Sequence, residues 1–168
     1  MVKLAKLDLQ KGTKVDELVF SCCKWFPTKE GLESLIQIGK KRDRENEKKV
    51  VESIFNFRNH NGSTCLMSIF SMANWYRNRT DKYPTGRMLR SIEQSCIYLI
   101  NLAKSAELDL TDIINRTAKD GDTLFFNASM FSLKVTKILL ENSAKVNSVR
   151  DNFLTPFFRV SLKTYLRK

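Results

Sequence analysis

Residues 120–147, DGDTLFFNASMFSLKVTKILLENSAKVN, decide how the rest of the chain is read. Asp120-Gly121-Asp122 has turn chemistry, and Thr123 stands where a side-chain oxygen caps the first backbone amides of a helix. An apolar run follows, and Val135, Ile138, Leu139 and Leu140 then recur at helical spacing on one face. Ser143-Ala144-Lys145-Val146-Asn147 closes the stretch. The expected unit is two helices joined by a turn near Ser132 and ended by a second turn.

The opening of this unit recurs elsewhere. Gly-x-Thr stands at Gly62/Thr64 as well as at Gly121/Thr123, and Asp151-Asn152-Phe153-Leu154-Thr155 places a third Thr 32 residues beyond Thr123. Apolar residues also keep helical spacing upstream, from Val15 to Phe26, at Leu32, Leu35, Ile36 and Ile38, and at Val50, Val51, Ile54, Phe55 and Phe57. Ser91–Leu110 reads as one more helix, with Ile92, Cys96, Leu99, Ile100 and Ala103 on its apolar stripe. Lys40–Lys49, KKRDRENEKK, mixes both signs of charge and reads as a solvated helix face or linker. Three prolines, six glycines and little strand-like alternation complete an all-helical expectation.

These residues closely resemble the ankyrin repeat, whose pattern runs D-x-x-G-x-T-P-L-H-x-A-A, a turn, and a second helix ending V-x-x-L-L-x-x-G-A-x-V-N. Thr123, Ala128, Ser129, Val135, Leu139, Leu140, Ala144, Val146 and Asn147 fit that pattern. One residue deleted near Ser132 reconciles the spacing of 32 with the family's period of about 33. The departures are Leu124 for Pro, Phe125 for Leu, Phe126 for His and Ser143 for the turning Gly. At Phe126 the family's polar tie to the capping Thr is replaced by apolar bulk.

The resemblance implies an all-α fold, an ankyrin-repeat solenoid with degenerate repeats and a long insertion. Residues 1–168 form one irregular domain on this reading. Degenerate helices span about 15–57, a repeat with an insertion near 74–90 spans 58–116, the best-defined repeat spans 117–149, and a partial capping repeat spans 150–168. The 59 residues between Thr64 and Thr123 equal one repeat plus an insert, or two repeats with one eroded. Cys96–Pro156, with GSTCL at Gly62 in support, is also similar to the ankyrin region of fungal Start (MBF/SBF-type) cell-cycle transcription factors. There the region is a scaffold between a DNA-binding domain and a dimerisation tail.

Composition limits the functions available. Hydrophobic residues are 42% of the chain and aromatics 10%, too apolar for a disordered sequence. Lys and Arg number 29 against 18 Asp and Glu, a net charge of +11 that favours anionic partners or serves solubility. The N-terminus, with Lys3, Lys6 and Asp8, lacks a signal-peptide core, and no stretch is long and apolar enough to span a membrane. An intracellular protein, nuclear rather than cytoplasmic, is expected. Cys22, Cys23, Cys65 and Cys96 form no metal-ligand spacing and read as reduced, buried thiols. The single histidine, His60, precedes a turn, and no nucleophile–base set or phosphate loop can be assembled around it. Glu107, Asp109 and Asp112 read as helix-start carboxylates rather than a metal site. No enzyme activity, cofactor or metal is expected.

The expected function is a non-enzymatic protein–protein interaction scaffold, with a transcription-regulatory subunit as one form of it. Two groups of residues are candidates for partner binding. The insert interleaves rings and cations at Trp75, Tyr76, Arg77, Arg79, Lys82, Tyr83 and Arg87, types that anchor interfaces and also suit single-stranded nucleic acid. Trp75 and Tyr76 have a plainer reading too, packing the insert onto the stack. Repeat geometry would project Asp120, Asp122, Asn127 and Met130 from one unit and Arg150, Asp151 and Asn152 from the next. Nucleic-acid binding through the insert and the basic tail RVSLKTYLRK is the alternative function.

Overall fold

A computed structural model describes residues 13–25, 27–80 and 82–148. The expected capping repeat at 150–168, the basic tail, and Arg150, Asp151 and Asn152 lie outside the described residues. The described residues form helices and no strand, so the all-α expectation holds.

Helix α1 (Val15–Trp25) carries Asp16 and Glu17 in its first turn and Lys24 in its last, the arrangement its dipole favours, and buries Val19, Phe20, Cys22 and Cys23. Helix α2 (Lys29–Arg42) starts at Thr28, whose hydroxyl accepts a bond from the Gly31 amide at 3.2 Å. A 3₁₀ turn (Arg44–Asn46) leads into α3 (Glu47–Asn56), so the mixed-charge run is the exposed junction of these two helices. Gly39 lets the three helices close up, because a Cβ there would meet Val15 Cγ1 at 2.9 Å and Val50 Cγ1 at 3.0 Å.

The Gly-x-Thr opening occurs twice on the same backbone frame, Asn59 N donating to Ser63 O in the first turn as Ala118 N does to Asp122 O in the second. At the first turn, Asn59 Oδ1 accepts bonds from the Asn61 and Ser63 amides, Gly62 sits at φ +76°, and the Thr64 hydroxyl caps α4 (Cys65–Ser68) through the Met67 amide. At the second turn, Ala118 N donates to Asp122 O at 2.9 Å and Gly121 sits at φ +76°. Thr123 then caps α8 (Leu124–Phe131) through the Phe126 amide at 3.1 Å. The two turns touch: Lys119 N donates to Asn61 O at 2.9 Å. Turns 59 residues apart in sequence are therefore neighbours.

One long helical excursion fills the gap between them. After a turn at Ile69-Phe70, α5 (Ser71–Thr80) continues from α4, and the chain then enters α6 (Gly86–Ser105), capped by Thr85. Here the structure departs from the sequence expectation. The helix placed at Ser91–Leu110 starts at Gly86 and breaks at Ala106-Glu107, and a separate α7 (Leu110–Asn115) follows. The break is set by Glu107 at φ +55°, with Leu108 N reaching back to Ala103 O, and by Asp109, which caps α7 through the Asp112 amide. Glu107 is thus a helix terminator and Asp109 a cap. The insertion near 74–90 is largely helical, lengthening α5 and α6 rather than forming an open loop.

Ser132 separates α8 from α9 (Leu133–Glu141) and caps the latter through the Val135 amide, which makes the expected turn near Ser132 a single residue wide. Helix α9 ends as α6 does: Ser143 adopts φ +64° and Ala144 N bonds Leu139 O at 2.9 Å. Packing proceeds in two rows. Helix α4 lies against α1 and α8, while α6 lies against α2 and α9; α1 pairs with α2 and α8 with α9. Helix α3 closes the first pair, packing on α1, α2 and α6. The shared core includes Leu32, Ile36, Phe55, Leu66, Phe70 and Leu99, and Phe126, only 1% exposed, packs in it.

Candidate interaction surface

Helix α5 divides the insert residues by spacing. Asn74 and Arg77, three apart, share one flank, while Met72, Tyr76 and Arg79 recur at four and three and share the other. The first flank docks on α8. Asn74 Nδ2 donates to Asn127 Oδ1 at 2.9 Å, Asn127 Nδ2 donates to Asp122 Oδ2 at 3.0 Å, and the Arg77 guanidinium reaches Met130 Sδ at 3.8 Å. The Tyr83 hydroxyl donates to the Met130 carbonyl, and its ring lies 6.0 Å from Phe131, which in turn stacks on Phe70 at 6.3 Å. Arg77 and Tyr83 therefore hold the insert to the body of the protein.

The same docking corrects an expectation about α8. Asn127 and Met130 were placed as projecting toward a partner, and both are buried, 3% and 4% exposed, because α5 and Tyr83 lie over them. Asp122 is half-buried and held by Asn127, while Asp120 stays exposed and accepts a bond from the Asp122 amide at 3.1 Å.

What remains outward is the other side of the insert. Trp75 is 49% exposed with the Arg79 guanidinium 6.0 Å from its ring centroid. Arg79, Lys82 and Arg87 are exposed and Tyr76 is half-buried. At the C-terminal end of α1, Trp25 is also 49% exposed, with Lys24 Nζ 4.8 Å from its ring. Cations at these distances are attracted by the ring quadrupole, so both indoles are presented with positive charge alongside.

An open groove of about 370 Å³ runs between α1, α5 and α6. Trp25, Pro27, Met72, Thr85, Arg87 and Met88 shape it, and among the described residues lining it none carries a carboxylate. The connection between α1 and α2 is held at its edge by the Ser91 hydroxyl, which donates to Pro27 O at 2.6 Å. Sequence reasoning named Arg87 and missed Trp25, Met72 and Met88. Those residues come from three helices more than sixty positions apart at the extremes, and no local pattern joins them.

Arg116 has structural partners: it binds Asp112 Oδ2 at 2.7 Å, the Phe55 carbonyl at 2.6 Å and Asn56 Oδ1 at 3.0 Å, pinning α7 to the end of α3. His60 is exposed in the first turn. The four cysteines form no disulfide and are buried, as the sequence indicated. Burial pushes the Cys23 and Cys96 thiols well up and the Cys65 thiol up to about 12. Among the described residues no group of three or more His, Cys, Asp or Glu side chains is placed to hold a metal ion. No helix among them is long and apolar enough to cross a membrane.

Comparison with known proteins leaves the geometry to speak for itself: no family model matches the chain, and neither the curated proteins nor the solved structures yield a match.

Proposed function

We propose that this chain is a non-enzymatic scaffold that recognises another protein, built as an irregular ankyrin-type stack of helix pairs. Three features support the architecture. The two Gly-x-Thr turns are joined by the Lys119–Asn61 bond, their Thr residues cap α4 and α8 alike, and α6 and α9 are each followed by a left-handed residue, Glu107 and Ser143. A stack of this kind presents a rigid, extended surface rather than an enclosed pocket.

The observation that carries the functional reading is the surface left after the insert has docked. Two half-exposed tryptophans each stand with a cation alongside, and one of them, Trp25, lines an apolar groove between helices. Large rings and arginines at the centre of a patch are what protein interfaces use for most of their binding energy. A transcription-regulatory assembly is one setting for such a scaffold, with nuclear residence to match.

Affinity purification of the chain from its native cells, with and without nuclease, tests the reading. One protein should co-purify in near-stoichiometric amount, survive nuclease, and be lost with the Trp75→Ala/Arg79→Glu variant. Recovery of nucleic acid alone, or equal recovery of the protein with that variant, refutes it.

A further inference from the structure

We infer that the groove between α1, α5 and α6 receives an acidic segment of a partner protein that inserts one or two apolar side chains. The inference rests on the protein-recognition reading and adds where the partner sits and what chemistry it carries.

The floor of the groove is apolar and adaptable. Met72 and Met88 face it from different helices, with Pro27 and the Trp25 ring beside them. Methionine fills irregular gaps and repacks around varied apolar groups. At about 370 Å³ the groove lies at the small end of the ligand-pocket range, about 300–1,000 Å³, and is open along its length. That shape suits side chains presented by a polypeptide passing over it.

The rim is positive for two independent reasons. Helix α6 begins there, and its first five residues, Gly86-Arg87-Met88-Leu89-Arg90, carry two arginines and no acid. Acidic residues at a helix start offset the positive end of the dipole; here the arginines add to it. Lys24, 4.8 Å from the ring of the lining residue Trp25, adds a further cation. None of Lys24, Arg87 or Arg90 is joined to a carboxylate among the described residues. An acidic partner supplies the missing charges.

A polynucleotide is the less suitable occupant. Single-strand binding needs a continuous cationic track with rings set for successive bases. Here two thioethers, a proline and an indole form the apolar floor, and Arg87 is the one cation in the lining among the described residues.

Titration of a fluorescein-labelled 12-residue peptide, Asp and Glu flanking a central Leu-Phe pair, tests the inference directly. The wild-type chain should bind it saturably, and the bound peptide should shift the tryptophan emission to shorter wavelength. Replacing the Leu-Phe pair by Ser-Ser, or reversing the rim with Arg87→Glu/Arg90→Glu, should weaken binding at least tenfold each, as expected when a central anchor or a charge complement is lost. Both arginines are exposed, so the variant should keep the wild-type circular dichroism. Met88→Asp should abolish binding from the floor.

Lack of saturable binding up to about 1 mM overturns the inference, as does equal affinity for the rim-reversed variant. Tighter binding of oligothymidylate at the same groove, displacing the peptide, overturns it in favour of nucleic acid. Failure here is separable from failure of the scaffold reading. If the native partner still co-purifies with Arg87→Glu/Arg90→Glu, the groove is wrong and the scaffold stands.

Discussion

Replacing Ser143 by Gly should stabilise the protein. Ser143 closes α9 at φ +64°, in the region where L residues clash with their own carbonyl, and its side chain is exposed. Its backbone is committed: Ser143 N bonds Leu140 O at 3.1 Å and its carbonyl accepts from Asn115 Nδ2 at 3.0 Å. The left-handed conformation costs a non-glycine residue about 1–2 kcal/mol. Glycine gives back about 0.5–1 kcal/mol of that through the extra freedom of its unfolded chain. The net is a gain of about 0.5–1 kcal/mol, or about 1–4 °C in Tm for a chain of this size. Ser143→Ala keeps the clash and should gain nothing. Lys134→Gly, exposed in the same helix at ordinary helical geometry, should lose about 1 kcal/mol. Thermal melts followed at 222 nm, with urea titrations as a check on cooperativity, read all three. If Ser143→Gly lowers Tm as Lys134→Gly does, α9 does not end in a left-handed residue. Its equivalence with the end of α6 would then be lost.

Other perturbations probe other joints. Thr123→Ala removes the hydroxyl that caps α8 and also meets Ser148 Oγ at 3.2 Å, and should cost about 1–2 kcal/mol in urea unfolding. Asn127→Leu breaks the Asn74–Asn127–Asp122 chain beneath the insert, leaving buried polar groups without their partner. It should cost about 1–3 kcal/mol while raising proteolysis in the insert. The cysteines predict a pH dependence. Their folded pKa values are raised by burial, so their contribution to stability is complete below the ordinary thiol value of about 8.5 and is lost as pH climbs toward 12. A urea midpoint that stays flat from pH 9 to 11 would contradict this. Ellman's reagent at pH 8 should label the native chain slowly and all four thiols after denaturation.

The helices were readable because burial here follows the period of the helix: the stripe Ile92, Cys96, Leu99, Ile100 and Ala103 is buried throughout. The Gly-x-Thr turns were readable for a different reason, since a residue at φ +76° followed by a capping Thr demands those residue types. Boundaries were harder. The break at Glu107 was invisible because glutamate rarely takes a left-handed conformation, and only the Asp109 cap hinted that a new helix followed. Burial of Asn127 was unreadable in principle. A polar side chain on a helix reads as exposed until the helix that covers it, here α5, is in place with a hydrogen-bond partner. The groove was lost for the same reason: Trp25, Met72 and Met88 look like three unrelated apolar residues until α1, α5 and α6 converge.

Everything functional in this account depends on consecutive turns lying side by side, and the Lys119 amide reports that contact. Lys119 is exposed at the tip of a turn, yet its amide is bonded to the Asn61 carbonyl 2.9 Å away, across a long stretch of intervening chain. Gly62 permits the approach, since a Cβ there would come within 3.4 Å of the Lys119 nitrogen and its φ of +76° disfavours any side chain. Residue-resolved hydrogen exchange on the native chain should find the Lys119 amide protected at least about tenfold over its intrinsic rate, with the protection lost in Gly62→Ala. Exchange of that amide at the intrinsic rate in the wild type would mean the turns are not joined, and the stacked architecture would fall with them.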